Sequence, residues 1–167
     1  MPKHVLLFLI VFSVSLAAQQ KDDWSKFNYL IGEWRGEGSG NPGMGEGSFS
    51  FNYDLEKNIL VRKNHTIFPA TENRPASVHD DLLIIYKNMK GEADKAIYFD
   101  NEKHTINYSV AASDDKLIFT SEKIAGVPVF RLTYSPLGTD KVNIKFEMSQ
   151  DGQKFMTYLE GKAVKVK

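Results

Sequence analysis

The sequence predicts an all-β protein: a closed antiparallel β-barrel of about ten strands behind one short N-terminal helix. Three observations carry this. From Gly32 onward apolar residues recur every second position rather than with helical spacing. The extended runs are separated by short turns rich in Gly, Asn, Asp and Pro, which suit antiparallel neighbours. Most runs are apolar on one face and polar on the other, as in a sheet curled around its own core, and closure removes the exposed edges of an open sheet.

The first residues read as an address. Lys3 and His4 precede an apolar run, Val5 to Leu16, broken only by Ser13 and Ser15, and small residues follow at Ala17 and Ala18. This is the layout of a secretory signal peptide over 1–18. The run is shorter than the about 20 apolar residues of a spanning helix. The expectation is an exported chain, periplasmic or secreted, with no stable membrane anchor after cleavage and one domain over 22–167. No Cys is present to carry a lipid anchor, a thiolate metal site, a disulfide or thiol catalysis. The fold must therefore rest on its apolar interior, which a domain of this size supplies. The 21 basic and 21 acidic residues balance; losing Lys3 with the signal leaves 20 against 21, a net charge near −1. Nucleic acid, which selects a basic excess, is not an expected partner.

Along the chain, Asp22 to Leu30 is the helical segment, with Asp22 or Asp23 as cap and Trp24, Phe27, Tyr29 and Leu30 on its apolar side. Gly32 to Ser39 is the first strand, with Trp34, Gly36 and Gly38 on one face. Glu46 to Asp54 sets Phe49, Phe51 and Tyr53 against Ser48, Ser50 and Asn52. Ile59 to Phe68 follows and is closed by Pro69. Further strands are expected at Asp81 to Tyr86, Lys95 to Asp100, Thr105 to Ala111, Lys116 to Ser121 and Val127 to Tyr134. Val142 to Met148 has the cleanest alternation, and Phe155 to Val166 ends the chain.

The segment Leu30-Ile-Gly-Glu-Trp-Arg-Gly-Glu-Gly38, after a short helix and opening a strand, resembles the start of calycin barrels, the lipocalins and fatty-acid-binding proteins. Gly32-x-Trp34-x-Gly36-x-Gly38 is most similar to nitrobindin-like barrels and to exported bacterial lipocalin-like proteins. The stretches Leu60 to His65, His79 to Leu82 and Ala96 to His104 resemble the second group. The resemblance implies a ten-stranded barrel with an interior cavity. Its nitrobindin-like branch implies haem held by a histidine late in the chain. No histidine follows His104, so haem is disfavoured and no cofactor is expected.

The candidate ligand-binding residues are Trp34, Arg62, Asn64, His79, Tyr86, Tyr98, His104 and Tyr108. Trp34 either lines the cavity or plugs the barrel as core; aromatic residues at a strand start favour core. Arg62, Asn64 and Thr66 share one face of a long strand. If that face is internal, the Arg62 fork suits a carboxylate or phosphate on a ligand; otherwise it is a solvated face. His79, Asp80, Asp81, Asp100, Glu102 and His104 form the densest polar group, able to relay protons or meet a metal, but without fixed ligand spacing. Tyr86, Tyr98, Tyr108 and the phenylalanines either line an apolar pocket or fill a solid core. No nucleophile elbow, phosphate loop or paired-carboxylate motif is present. The expected function is capture of a small, partly apolar molecule whose acidic group Arg62 would hold. The alternatives are haem binding, an enzyme using the His/Asp cluster at the barrel mouth, and a barrel without a cavity.

Overall fold

The structure, a computed structural model, describes residues 24–38 and 45–166. The signal segment over 1–18 and the caps at Asp22 and Asp23 lie outside the described residues. Strand β1 is Gly32–Gly36, β2 Glu46–Asp54, β3 Ile59–Phe68, β4 Ser77–Tyr86 and β5 Lys95–Asp100. They are followed by β6 Thr105–Ala112, β7 Leu117–Ser121, β8 Val129–Pro136, β9 Lys141–Ser149 and β10 Met156–Lys165. Every neighbour is antiparallel, and β1 pairs with both β2 and β10, so the sheet closes. The fold is the expected one.

The helical segment is a single 3-10 run, Ser25–Leu30, with Trp24 at its N-cap position and no side-chain cap. Six residues are too few to make α-helical hydrogen bonding worth its nucleation, and the tighter winding serves in short pieces. This run closes one end of the barrel. Trp24, Phe27 and Leu30 are buried there. The Trp24 indole Nε1 donates to the Lys57 carbonyl at 2.7 Å, the Trp34 Nε1 to the Leu30 carbonyl at 2.7 Å, and the Tyr29 hydroxyl to the Tyr134 carbonyl at 3.1 Å. Gly32 joins the run to β1 at φ +116°, a backbone region that a side chain would make costly.

Above this plug the interior is filled by rings. Trp34 stacks on Phe49 at 6.0 Å, and edge contacts run from Phe49 to Phe51, Tyr134 and Phe119, then to Tyr108. Leu60, Leu83, Ile85, Leu117 and Val142 complete the core and are fully buried. The other end of the barrel, where β3 runs out and β4 begins, carries the polar residues.

Candidate functional site

Register places the candidate residues in rows across the barrel. Phe51 pairs with Arg62, Arg62 with Leu83, Leu83 with Tyr98 and Tyr98 with Ile106. One row nearer the open end, Phe49, Asn64, Asp81 and Asp100 follow one another, and beyond them Thr66 pairs with His79. Phe51 and Leu83 are core residues, so Arg62 between them points inward, and the parity of each strand carries Asn64, His79, Asp81, Tyr98 and Asp100 with it.

Arg62 is buried, and its partner comes from the chain itself. Its Nη2 donates to Asp81 Oδ2 at 3.0 Å. Asn64 Nδ2 donates to the same oxygen at 2.9 Å, and His79 Nε2 lies 3.4 Å from it. Burial works most strongly against the Arg62 charge, but Asp81 together with Tyr134, Tyr98 and Tyr108 outweighs it and holds the guanidinium above its ordinary pKa. Arg62 Nε and Asp81 Oδ1 are buried without a partner. Arg62 thus does not offer the free fork expected of an anchor for an acidic ligand.

His79 joins the buried pair to the rim. Its Nε2 is 3.2 Å from the Tyr98 hydroxyl and its Nδ1 3.2 Å from Glu102 Oε1. The hydrogen bond to Asp81, with that to Glu102, outweighs burial and lifts the imidazole pKa to about 9, so the ring is cationic at neutral pH. The Tyr98 hydroxyl donates to Asp100 Oδ2 at 3.2 Å, and His104 Nδ1 meets that oxygen at 2.7 Å. Burial, then the nearby Asp81 and Asp100 charges, push the Tyr98 phenol well above its usual range, so it stays a neutral donor. Burial also raises Tyr108, and pushes Tyr134 up to about 12. His79 and His104 therefore stand at the same end, connected through Tyr98 and Asp100. Among the described residues, no group of three or more His, Asp or Glu is placed to hold a metal ion.

The opposite wall is apolar. Phe130 and Leu132 on β8, and Ile144, Phe146 and Met148 on β9, face inward. Phe130 stacks on Phe146 at 5.8 Å, and Tyr158, at an irregularity of β10 between Thr157 and Leu159, meets Phe146 edge-on at 6.1 Å. Phe130, Phe146, Met148 and Ile106 face into a closed barrel and are nevertheless only half-buried. Their exposure is to the open mouth. The mouth is thus walled on one side by Asn64, His79 and Tyr98 and on the other by Phe130, Phe146 and Met148.

The remaining candidates sit elsewhere. Trp34 is core, fully buried, with its indole turned to the 3-10 run. Tyr108 is buried in the ring cluster beneath the mouth. His104 is on the rim, with most of its side chain exposed. Tyr86 does not join them: it lies on the outer face of β4 toward the plugged end, 37% exposed. Sequence reasoning also missed a groove of about 820 Å³ across β1 to β5. Its walls are Glu33, Arg35, Ser48, Ser50, Lys63 and His65, among others. These are the outward residues flanking the inward row from Trp34 to Asp100, so the groove is outside the barrel.

The closed ten-stranded antiparallel architecture fits a calycin-like barrel. It is similar to the crystal structure of Rv2717c from M. tuberculosis, with a TM-score of 0.58 at 12% identity, over 87% of this chain and 98% of that one. It is also similar to the S-type phycobiliprotein lyase CPES from Guillardia theta, with a TM-score of 0.52 at 11% identity, over 84% of this chain and 90% of that one. At such identities the likeness is one of fold. No protein-family model matches the chain, and no curated protein matches it by sequence.

Proposed function

We propose that the protein is an exported binding barrel that takes a small, partly apolar molecule into its mouth. The observation that carries this is the wall of inward-facing yet half-buried apolar side chains, Phe130, Phe146 and Met148, set opposite Asn64, His79 and Tyr98. Ligand pockets combine such an apolar lining with a few placed polar groups. The likeness in fold to a phycobiliprotein lyase supports a small-molecule role. An acidic end on the ligand would meet the cationic His79 rather than Arg62, whose charge Asp81 already balances.

Haem held by histidine, as the nitrobindin-like resemblance implies, asks for a free imidazole nitrogen facing the cavity. Both ring nitrogens of His79 are engaged, one by Tyr98 and Asp81, the other by Glu102, and His104 lies on the rim. The residues present do not fit a haem held by histidine in the mouth.

Titration with cis-parinaric acid, an apolar carboxylate that fluoresces in dry surroundings, tests the reading. Saturable enhancement is expected, weakened at least about tenfold by Phe146→Ala, which removes a large apolar contact. Absence of enhancement with this and with neutral apolar probes would overturn it.

A further inference from the structure

The outer face of the barrel should be polar, and on most strands it is. The outward residues of β2 are Ser48, Ser50 and Asn52, those of β6 include Asn107 and Ser109, and those of β9 include Asn143 and Lys145. Strands β3 to β5 break this rule. Val61, Ile84 and Ile97 form one outward row, and Lys63, Leu82 and Phe99 the next. Strand β4 is apolar from Leu82 to Tyr86 on both of its faces, the pattern of a strand covered on both sides. Phe99 is 38% exposed, and Ile67 and Val78, paired further along, are 47% and 43% exposed.

Charge is distributed to suit one particular cover. Asp80, with half its side chain in solvent, lies in the row beyond Leu82 and Phe99. Lys95 lies in the row beyond Ile84 and Ile97, opposite Tyr86. The apolar rows are therefore bracketed along the strand direction by an acid at one end and a base at the other. A two-fold axis crossing β4 between Leu82 and Ile84 reverses the strands. It sets Ile84 on Leu82 and Ile97 on Phe99, with Lys63 over Val61 at the edge, and brings Asp80, which in its own copy meets His65 Nδ1 at 2.6 Å, to Tyr86 and Lys95 of the other. Such self-complementarity is what an isologous contact requires.

We infer that this face is an interface on which a second copy of the chain packs with its β4 reversed. Two such rows, about 3.4 Å of rise per residue on three strands about 4.8 Å apart, give a largely apolar centre on the order of 200 Å². With its polar rim, from Ile59 to Ile67, the face covers about 400 Å² per partner, half the about 800 Å² of standard specific complexes, so the dimer is a weak, concentration-dependent one. The contact lies outside the barrel, so it is independent of what the mouth binds.

Sedimentation velocity of the purified protein over micromolar to submillimolar concentrations tests the inference. A monomer–dimer equilibrium is expected, with dimer dissociation at least about tenfold more favourable in Leu82→Lys and in Phe99→Lys. Both positions are outward, so both variants should keep the wild-type circular dichroism spectrum, and the wild-type melting profile at concentrations where the native protein is monomeric. Asp80→Lys and Lys95→Asp should each weaken the dimer, and the double exchange should restore it. A protein monomeric throughout, or a dimer that folded Leu82→Lys and Phe99→Lys leave unchanged, would overturn the inference. A double exchange weaker than either single one would overturn the reversed arrangement.

Discussion

Arg62 and Asp81 form an ion pair inside the barrel, Nη2 to Oδ2 at 3.0 Å, in which one N–H and one carboxylate oxygen go unmatched. A pair so placed contributes little net stability but is costly to break, because the survivor is a buried charge without a counter-ion. Asp81→Ala is expected to lower unfolding free energy by about 3–5 kcal/mol. The double variant Arg62→Met with Asp81→Leu should recover most of that loss. Urea denaturation of the three proteins checks both statements.

His79 makes stability depend on pH. Its folded pKa, about 9, exceeds the roughly 6.5 of an unfolded histidine. The stabilisation is therefore complete below about pH 6.5 and lost as pH rises through about 9. It amounts to no more than about 3.5 kcal/mol, since each pKa unit is about 1.4 kcal/mol, and to less because the ring is partly solvent-screened. Unfolding free energy should fall across that window in the native protein, and His79→Gln should lose this part of the slope. Asp81→Asn should lose it too, because the Asp81 hydrogen bond is the largest cause of the shift.

Tyr98 bridges His79 to Asp100, and through Asp100 to His104. Tyr98→Phe is expected to cost about 1–2 kcal/mol of stability, the range for a largely buried hydrogen bond. Heteronuclear NMR of the His79 ring through a pH titration should show its chemical-shift midpoint displaced in this variant.

The turn between β2 and β3 carries three consecutive residues without glycine in the left-handed region: Leu55 at φ 47°, Glu56 at φ 55° and Lys57 at φ 65°. The Trp24 indole anchors it at the Lys57 carbonyl. Each such residue costs roughly 1–2 kcal/mol that glycine avoids, less the entropy glycine adds to the unfolded chain. Glu56→Gly, at an exposed position, should raise the melting temperature; a fall would show that the side chain stabilises the turn.

The fold was legible because alternation survives wherever one face meets core and the other water. Glu46–Asp54, Ile59–Phe68 and Lys95–Asp100 have the bounds that their patterns mark. Strand β4 begins at Ser77, four residues ahead of the start expected at Asp81, because pairing with His65 to Phe68 extends it and no local signal in Ser77 to Asp80 announces that. The same strand hid Tyr86: Leu82 to Tyr86 is apolar at every position, so parity could not be read until Leu83 and Ile85 were seen in the core. Alternation leaves open whether Arg62 faces inward or toward solvent, and its partner depends on the register between β3 and β4, which closes through the loop over 69–76. The turn binding Asp100 to His104 was readable from spacing alone.

The account turns on a mouth that holds a molecule between Phe146 and His79. Native mass spectrometry of the protein isolated from its own source tests this most directly. It should show a small molecule retained on the folded protein and lost when Phe130→Lys places a charge in the apolar wall. Bare protein mass in the native-source material, together with a crystal structure whose mouth is filled by its own side chains, would contradict it.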